Sequence, residues 1–157
     1  MKTLVDTLIK RKETISTMES CTGGKIADAI TSCPGSSEIF RFGAVTYSNE
    51  YKVKMGVPSE VIEKYTVYSM ETANAMSKAI STFTNSTYGI GITGQLKRID
   101  PNNIVNNSDM VYISIYNRNT DSYTTATVQV DRDTRPENKE LVLSIIKSML
   151  NKMFDND

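Results

Sequence analysis

The chain of 157 residues is 39% hydrophobic and 23% charged, a composition typical of one globular domain with a sizeable buried core. Its 18 Lys and Arg residues equal its 18 Asp and Glu residues, so no basic surplus indicates a nucleic-acid surface. Histidine is absent, which excludes the Ser-His-Asp triad, Cys-His proteolysis and histidine-based zinc motifs.

Helical and strand patterns alternate along the chain. Apolar spacing, β-forming residues and turn signals predict helices at 2–11, 25–30, from Pro58, from Ser69 and at 136–154. The same signals predict strands at 14–19, 40–47, 88–93, 110–116 and 123–130, the last two as a hairpin. Helices precede, separate and follow the strands, which indicates one α/β domain over 1–157 with a mixed sheet covered on both faces. Gln95 to Asp109 reads as a long polar loop, which suggests function or disorder.

The two cysteines, Cys21 and Cys33, are too few for a disulfide scaffold or a four-thiolate zinc site. We therefore predict no metal and no cofactor. No stretch approaches the roughly 20 apolar residues of a membrane span, and the first residues lack the apolar run of a signal peptide. A soluble, cytoplasmic protein without membrane or nucleic-acid partners is expected.

The turn Ser20–Gly24 joins a predicted strand to a predicted helix, where backbone N–H groups and the helix dipole favour anions. An ordinary glycine turn with capping Ser and Thr side chains explains the motif equally well. Residue types alone do not decide between Ser20 and Cys21 as nucleophile. A cysteine is intrinsically more nucleophilic, but without a histidine to ionise it Cys21 is more often a small buried hydrophobe.

Polar side chains are also concentrated at Tyr47–Lys52, after the second predicted strand. The alternative there is a solvated strand exit with ordinary charges. Between the last strand and the last helix stand Arg132 and Arg135, which either form local ion pairs or clamp a phosphate or carboxylate.

Three segments resemble the C-terminal domain of CinA, the competence-damage-inducible protein. They are Glu19-Ser-Cys-Thr-Gly-Gly24, Pro34-Gly-Ser-Ser37 followed by Phe40, and Gly43-Ala-Val-Thr-Tyr-Ser-Asn-Glu50 with Lys52. The resemblance implies a three-layer α/β/α domain and homo-oligomers, with a dimer favoured. Members of this family include stand-alone nicotinamide-nucleotide amidases, which hydrolyse nicotinamide mononucleotide to nicotinate mononucleotide and ammonia, so the implied partner is a small-molecule nucleotide.

The resemblance also implies roles for individual residues. Ser20 matches the family's nucleophile, assisted by Tyr47 and Lys52, and either Arg132 or Arg135 reaches the nucleotide. The remaining expected substrate-binding residues are Glu19, Thr22, Gly23, Gly24, Asn49, Thr93 and Gly94.

One segment departs from the family pattern. Thr93-Gly94 is retained, but Gln95 to Asn103 replaces the glycine-rich stretch that follows in the family. Because glycines let the backbone approach a ligand closely, this change supports an alternative function, a non-catalytic nucleotide-binding member of the family. A DNA-processing accessory is a third hypothesis, and the balanced charge opposes it.

Amide hydrolysis without histidine requires another base for the hydroxyl of Ser20. Lys52 could serve only when neutral, and burial or a neighbouring positive charge can lower a lysine pKa from about 10.4 to about 7 to 8. Tyr47 could relay the proton or orient the lysine. Backbone N–H groups around Thr22 and Gly23 are expected to hold the oxyanion.

Overall fold

The structure is a computed structural model that describes residues 1–97 and 109–155. Within these ranges five strands form one sheet in the order β2-β1-β3-β4-β5. The strands are β1 (Ile15–Glu19), β2 (Gly43–Val45), β3 (Tyr88–Gly94), β4 (Met110–Asn117) and β5 (Ser122–Gln129). Both β2 and β3 pair in parallel with β1, whereas the pairs β3–β4 and β4–β5 are antiparallel, so the predicted mixed sheet is confirmed.

Helices cover both faces of this sheet. The α-helices in the described ranges are α1 (Lys2–Arg11), α2 (Lys25–Thr31), α3 (Asn49–Lys54), α4 (Ser59–Tyr65), α5 (Met70–Thr84) and α6 (Arg135–Phe154). Local signals start the two longest: Ser69 accepts a hydrogen bond from the Thr72 N–H at α5, and Thr134 with Glu137 forms a capping box at α6. None of the helices in the described part of the chain is long and apolar enough to cross a membrane.

Side-chain alternation along the strands separates two cores. Ile90 and Ile92 of β3 join a cluster with α1, α2 and α6, while Met18 of β1 packs with Met76 of α5 on the other face. The glycines of β3 lie towards α5, because a Cβ on Gly91 would stand 2.3 Å from a backbone oxygen of that helix. The three-layer α/β/α arrangement follows from this division.

The second strand is shorter than predicted. The sequence pattern extends over 40–47, but β2 is confined to Gly43–Val45. Among the described residues this edge strand pairs only with β1, whose last residue Glu19 stands opposite Val45, so the ladder ends at that pair.

A helix also replaces the polar strand exit considered for Tyr47–Lys52. Ser48 accepts a hydrogen bond from the Tyr51 N–H and caps α3, and this helix carries Lys52 towards the protein interior. Most of the polar loop predicted at Gln95 to Asp109, namely 98–108, lies outside the described residues.

Candidate active site

The strands β1, β2 and β3 all end at one edge of the sheet, and a cavity of about 280 Å³ opens there. The connections from β1 to β2 and from β2 to β3 run over opposite faces, so this edge is a topological switch point, where open α/β sheets commonly bind ligands. Seven predicted site residues line the cavity: Ser20, Tyr47, Asn49, Lys52, Thr93, Gly94 and Arg135.

Ser20 and Lys52 form the chemical centre of this cavity. Ser20 is the first residue after β1, and its N–H donates to the carbonyl of Ile92 in β3. Lys52 Nζ donates to Ser20 Oγ at 3.1 Å and to the carbonyl oxygen of Thr46 at 2.7 Å. Neither bond joins Lys52 to a carboxylate, so the amine is held by neutral acceptors beside a hydroxyl.

Burial controls the protonation of this lysine. Only 1% of Lys52 is exposed, and removal from water lowers the pKa of its amine below the ordinary value of 10.5, while the thiol of Cys21 opposes the shift. The sequence left two possible causes of a lowered lysine pKa, burial and a neighbouring positive charge. In the structure the cause is burial. A lysine so placed has a larger neutral fraction than a surface lysine and can accept a proton from Ser20.

Cys21 lies beside Ser20 and also lines the cavity, but its thiol is not activated. The residue is 5% exposed, and burial raises the pKa of the thiol to about 11. A thiol at that pKa is almost wholly protonated near neutral pH, so the structure favours Ser20 over Cys21 as the nucleophile.

The glycine turn after Ser20 is hydrogen-bonded to the carboxylate of Glu19. Glu19 is fully buried, and its side chain accepts hydrogen bonds from the hydroxyl of Thr22 and from the N–H groups of Gly24, Ile26 and Ala27. Glu19, Thr22, Gly23 and Gly24 were predicted to line the substrate pocket, and none of the four is among the residues that line this cavity.

The expected oxyanion donors need correction as well. The Gly23 N–H donates to the carbonyl of Ser20 at 3.0 Å, so it is already used. Within the turn, the Cys21 N–H interacts with its own thiol, and the Thr22 N–H is the one for which the described residues supply no acceptor.

The structure places Arg132 and Arg135, the two candidates for contact with the nucleotide, in different surroundings. Arg135, the first residue of α6, lines the cavity and donates from Nη2 to the hydroxyl of Tyr47 at 3.3 Å. Arg132 instead stands 3.6 Å from Asp131, outside the cavity lining. Arg135 is therefore the better placed of the two to contact a ligand.

Tyr47 does not lie in the position expected for a proton relay between Ser20 and Lys52. The residue is 65% exposed on the rim, and among the described residues its hydroxyl is hydrogen-bonded to Arg135 rather than to Lys52 or Ser20. A catalytic role for Tyr47 stays a prediction, and its position favours contact with substrate.

The end of β3 forms another wall. The Thr93 hydroxyl donates to the carbonyl of Val67, and Gly94 has a φ of 151° with the Met110 carbonyl so close that a Cβ would stand 2.4 Å from its oxygen. Beyond Gly94, Gln95 and the buried Leu96 line the cavity in the segment that departs from the family pattern.

Five lining residues were not among the predicted site residues: Cys21, Val67, Tyr68, Gln95 and Leu96. Val67 and Tyr68 directly precede the predicted helix start at Ser69, which was a usable signal for these two. Gln95 and Leu96 had none apart from their position after Gly94.

Fold and site together define an α/β domain with a buried Ser–Lys pair at the carboxyl edge of its sheet. Residues 1–153 match the CinA C-terminal domain, so the chain belongs to that family, as its motifs indicated.

Named relatives agree with this membership. A CinA-like protein of Desulforapulum autotrophicum is 46% identical over 88 residues, which are 55% of this chain and 21% of that protein. A CinA-like protein of Myxococcus xanthus is 44% identical over 92 residues, 58% of this chain and 22% of that protein. The chain thus matches about a fifth of the length of these curated relatives.

Solved structures share the fold. A CinA superfamily protein from Klebsiella pneumoniae superposes with a TM-score of 0.87 at 21% identity, over 99% of this chain and 96% of that one. A competence or damage-inducible protein from Enterobacter asburiae gives 0.84 at 24% identity, over 99% and 94%.

Proposed function

We propose that the chain is a nicotinamide-nucleotide amidase, which hydrolyses the carboxamide of nicotinamide mononucleotide to nicotinate mononucleotide and ammonia. The observation that carries the proposal is the 3.1 Å hydrogen bond between the buried amine of Lys52 and the hydroxyl of Ser20. A buried lysine beside a serine, with no carboxylate bonded to it, is the arrangement that a Ser–Lys hydrolase needs.

In the first half of the reaction, neutral Lys52 accepts the hydroxyl proton of Ser20 while Oγ forms a bond to the carboxamide carbon. In the neutral amine one N–H bond stays on the Thr46 carbonyl and the lone pair turns to Ser20, whose hydroxyl then donates to Nζ instead of accepting from it. The oxyanion is assigned to backbone N–H groups of the turn after Ser20, where Cys21 is the residue that lines the cavity. The carbon–nitrogen bond then breaks, and Lys52 returns the proton to the leaving group as ammonia.

In the second half, water attacks the acyl-Ser20 ester and gives a proton to Lys52. The bond between Oγ and the acyl carbon breaks, the proton returns to Ser20, and nicotinate mononucleotide leaves. Ser20 and Lys52 are the only side chains of the protein that gain or lose a proton in this scheme.

The charge of the cavity supports an anionic nucleotide as substrate. Arg135 supplies a positive charge even when Lys52 is neutral, and no Asp or Glu is among the described lining residues. Arg135 is assigned the phosphate, since arginine binds phosphate through paired N–H donors. Tyr47, Tyr68 and Asn49 provide aromatic and amide surfaces for the rest of the molecule.

The test is ammonia release from nicotinamide mononucleotide, followed by NMR identification of the product. Wild-type protein should release one ammonia per nicotinate mononucleotide formed, and Ser20→Ala should release none while unfolding at the wild-type temperature. Wild-type protein that binds the nucleotide in calorimetry without releasing ammonia would support the non-catalytic alternative instead.

Location in the cytoplasm and assembly as a homodimer belong to the same proposal. The homodimer follows from the family resemblance, whereas the location is the expectation drawn from the sequence. Sedimentation of the purified protein tests the first, and cell fractionation tests the second.

A further inference from the structure

Glu19 combines complete burial with an unusual number of hydrogen bonds. Its exposed fraction is zero, and both carboxylate oxygens accept: Oε2 from the Thr22 hydroxyl, Gly24 N–H and Ile26 N–H, and Oε1 from Ala27 N–H at 2.9 Å. Three of these donors are backbone groups at the start of α2, where the helix leaves N–H groups without intrahelical partners. The carboxylate therefore fills the anion-favouring end of the helix from inside the protein.

This arrangement fixes the backbone on both sides of Ser20. Glu19 precedes Ser20 directly, and its hydrogen bonds reach three to eight positions along the chain. Gly23 and Gly24 have φ values of 62° and 99°, and the Gly23 N–H closes the turn on the Ser20 carbonyl. With the Ser20 N–H bonded to Ile92, both backbone groups of Ser20 are held.

Small displacements of Ser20 would be costly, because its Oγ must stay within hydrogen-bond reach of Lys52 Nζ. A misplacement of about 1 Å in a catalytic group can cost about 100-fold in rate. The amine of Lys52 is itself anchored on Thr46, so the lysine cannot follow a displaced serine without losing that bond.

We propose that Glu19 is a positioning residue, whose buried carboxylate holds the Ser20 turn so that the hydroxyl of Ser20 stays in reach of Lys52. The inference rests on the proposed function insofar as Ser20 is the nucleophile. It also means that this helix end receives Glu19 rather than the substrate phosphate, which is left to Arg135.

The experiment compares Glu19→Gln with a matched control, Glu13→Gln. Glu13 accepts a hydrogen bond from the Tyr88 hydroxyl at the opposite end of β1, so its substitution also removes a carboxylate acceptor but leaves the Ser20 turn intact. Two rates are measured for each protein: ammonia release, and covalent labelling of Ser20 by a fluorophosphonate, followed by mass spectrometry. Circular dichroism and thermal unfolding establish that each variant is folded at the assay temperature.

In Glu19→Gln the side chain keeps one acceptor oxygen, but its N–H₂ group now faces at least one donor that has lost its acceptor. We expect Ser20 labelling and kcat to fall at least tenfold, with KM within about threefold of wild type, whereas Glu13→Gln keeps both rates. A folded Glu19→Gln protein that labels Ser20 at the wild-type rate would overturn the inference.

A second variant covers the case in which Glu19→Gln does not fold. Thr22→Val removes one side-chain donor and leaves the backbone bonds to Glu19, so labelling should slow severalfold, and an unchanged rate would overturn the inference. The labelling assay also separates two failures. If wild-type protein labels at Ser20 in a Glu19-dependent way but releases no ammonia, the amide substrate is wrong and the positioning role stands. If wild-type Ser20 is not labelled at all, the positioning role falls.

Discussion

Arg135 Nη2 donates a 3.3 Å hydrogen bond to the hydroxyl of Tyr47 and so joins two segments that lie 88 residues apart in the sequence. Both residues line the cavity that contains Ser20 and Lys52. The start of α6 and the segment after β2 thus form one rim of the site, and the rim carries a permanent positive charge.

Replacing that charge should weaken substrate binding. For Arg135→Ala we expect KM for nicotinamide mononucleotide to rise about 10- to 100-fold, since hydrogen bonds to charged groups are worth about 1.5–3 kcal/mol. Nicotinamide riboside, which lacks the phosphate, should be hydrolysed equally by both proteins. Arg132→Ala is the matched control, and a larger KM effect there than at Arg135 would reverse the assignment.

The two cysteines should differ in reactivity. Burial raises the pKa of Cys21 to about 11, so at pH 7.5 only about one thiol in a few thousand is ionised. Cys33 is half-buried and should be alkylated first by iodoacetamide. Peptide mapping with Cys21→Ala and Cys33→Ser variants checks the order. If alkylation of Cys21 ran as fast as that of Cys33, the environment described for the turn would be wrong.

The close contact between β3 and α5 should make Gly91 intolerant of any side chain. In Gly91→Ala the new methyl group would meet the Ala73 carbonyl oxygen at 2.3 Å, and both belong to regular backbone that cannot easily move. We expect a loss of at least about 3 kcal/mol in the free energy of unfolding, the upper range for overpacking. Urea unfolding measures it, with the exposed Thr125→Ala of β5 as a control expected within about 0.5 kcal/mol of wild type. Equal stability of the two variants would contradict the packing.

The buried amine of Lys52 should also leave a signature in the pH dependence of stability. Its pKa is lowered in the folded protein, so between that pKa and 10.5 the unfolded chain binds more protons than the folded one. The cost of burying the charge is complete below the folded pKa and disappears as pH rises through 10.5. The stability of wild type relative to Lys52→Met should therefore increase with pH in this window. Urea unfolding at several pH values measures the difference, and a constant one would show that the amine is solvated.

Much of the fold could be predicted from the sequence because the apolar residues recur at regular helical and strand spacing. Leu4, Leu8 and the apolar positions of α6 fall at helical spacing, and β3 to β5 are bounded by turn signals, so their limits agree with the structure within a few residues. The end of the β2 strand was overestimated because the pattern of 40–47 does not reveal that the neighbouring strand β1 ends at Glu19.

The pairing of Ser20 with Lys52 lay beyond what residue spacing could predict. The two residues stand 32 positions apart, and their contact depends on parallel strands ending together and on the cap that Ser48 provides for α3. Family resemblance supplied the candidates. It did not reveal that the Glu19 carboxylate accepts hydrogen bonds from N–H groups of the glycine turn and the start of α2. Nor did it reveal that Arg135, rather than Arg132, lines the cavity.

The most direct test of the Ser–Lys mechanism is the rate of ammonia release by Lys52→Met beside Lys54→Met. Lys54 stands two positions further along α3, where it pairs with Glu50 at the surface, so the control removes a lysine of the same helix without touching Ser20. General base catalysis contributes about 100- to 10,000-fold, and Lys52→Met should lose that much activity while Lys54→Met keeps the wild-type rate. A folded Lys52→Met protein that releases ammonia from nicotinamide mononucleotide as fast as wild type would contradict the mechanism.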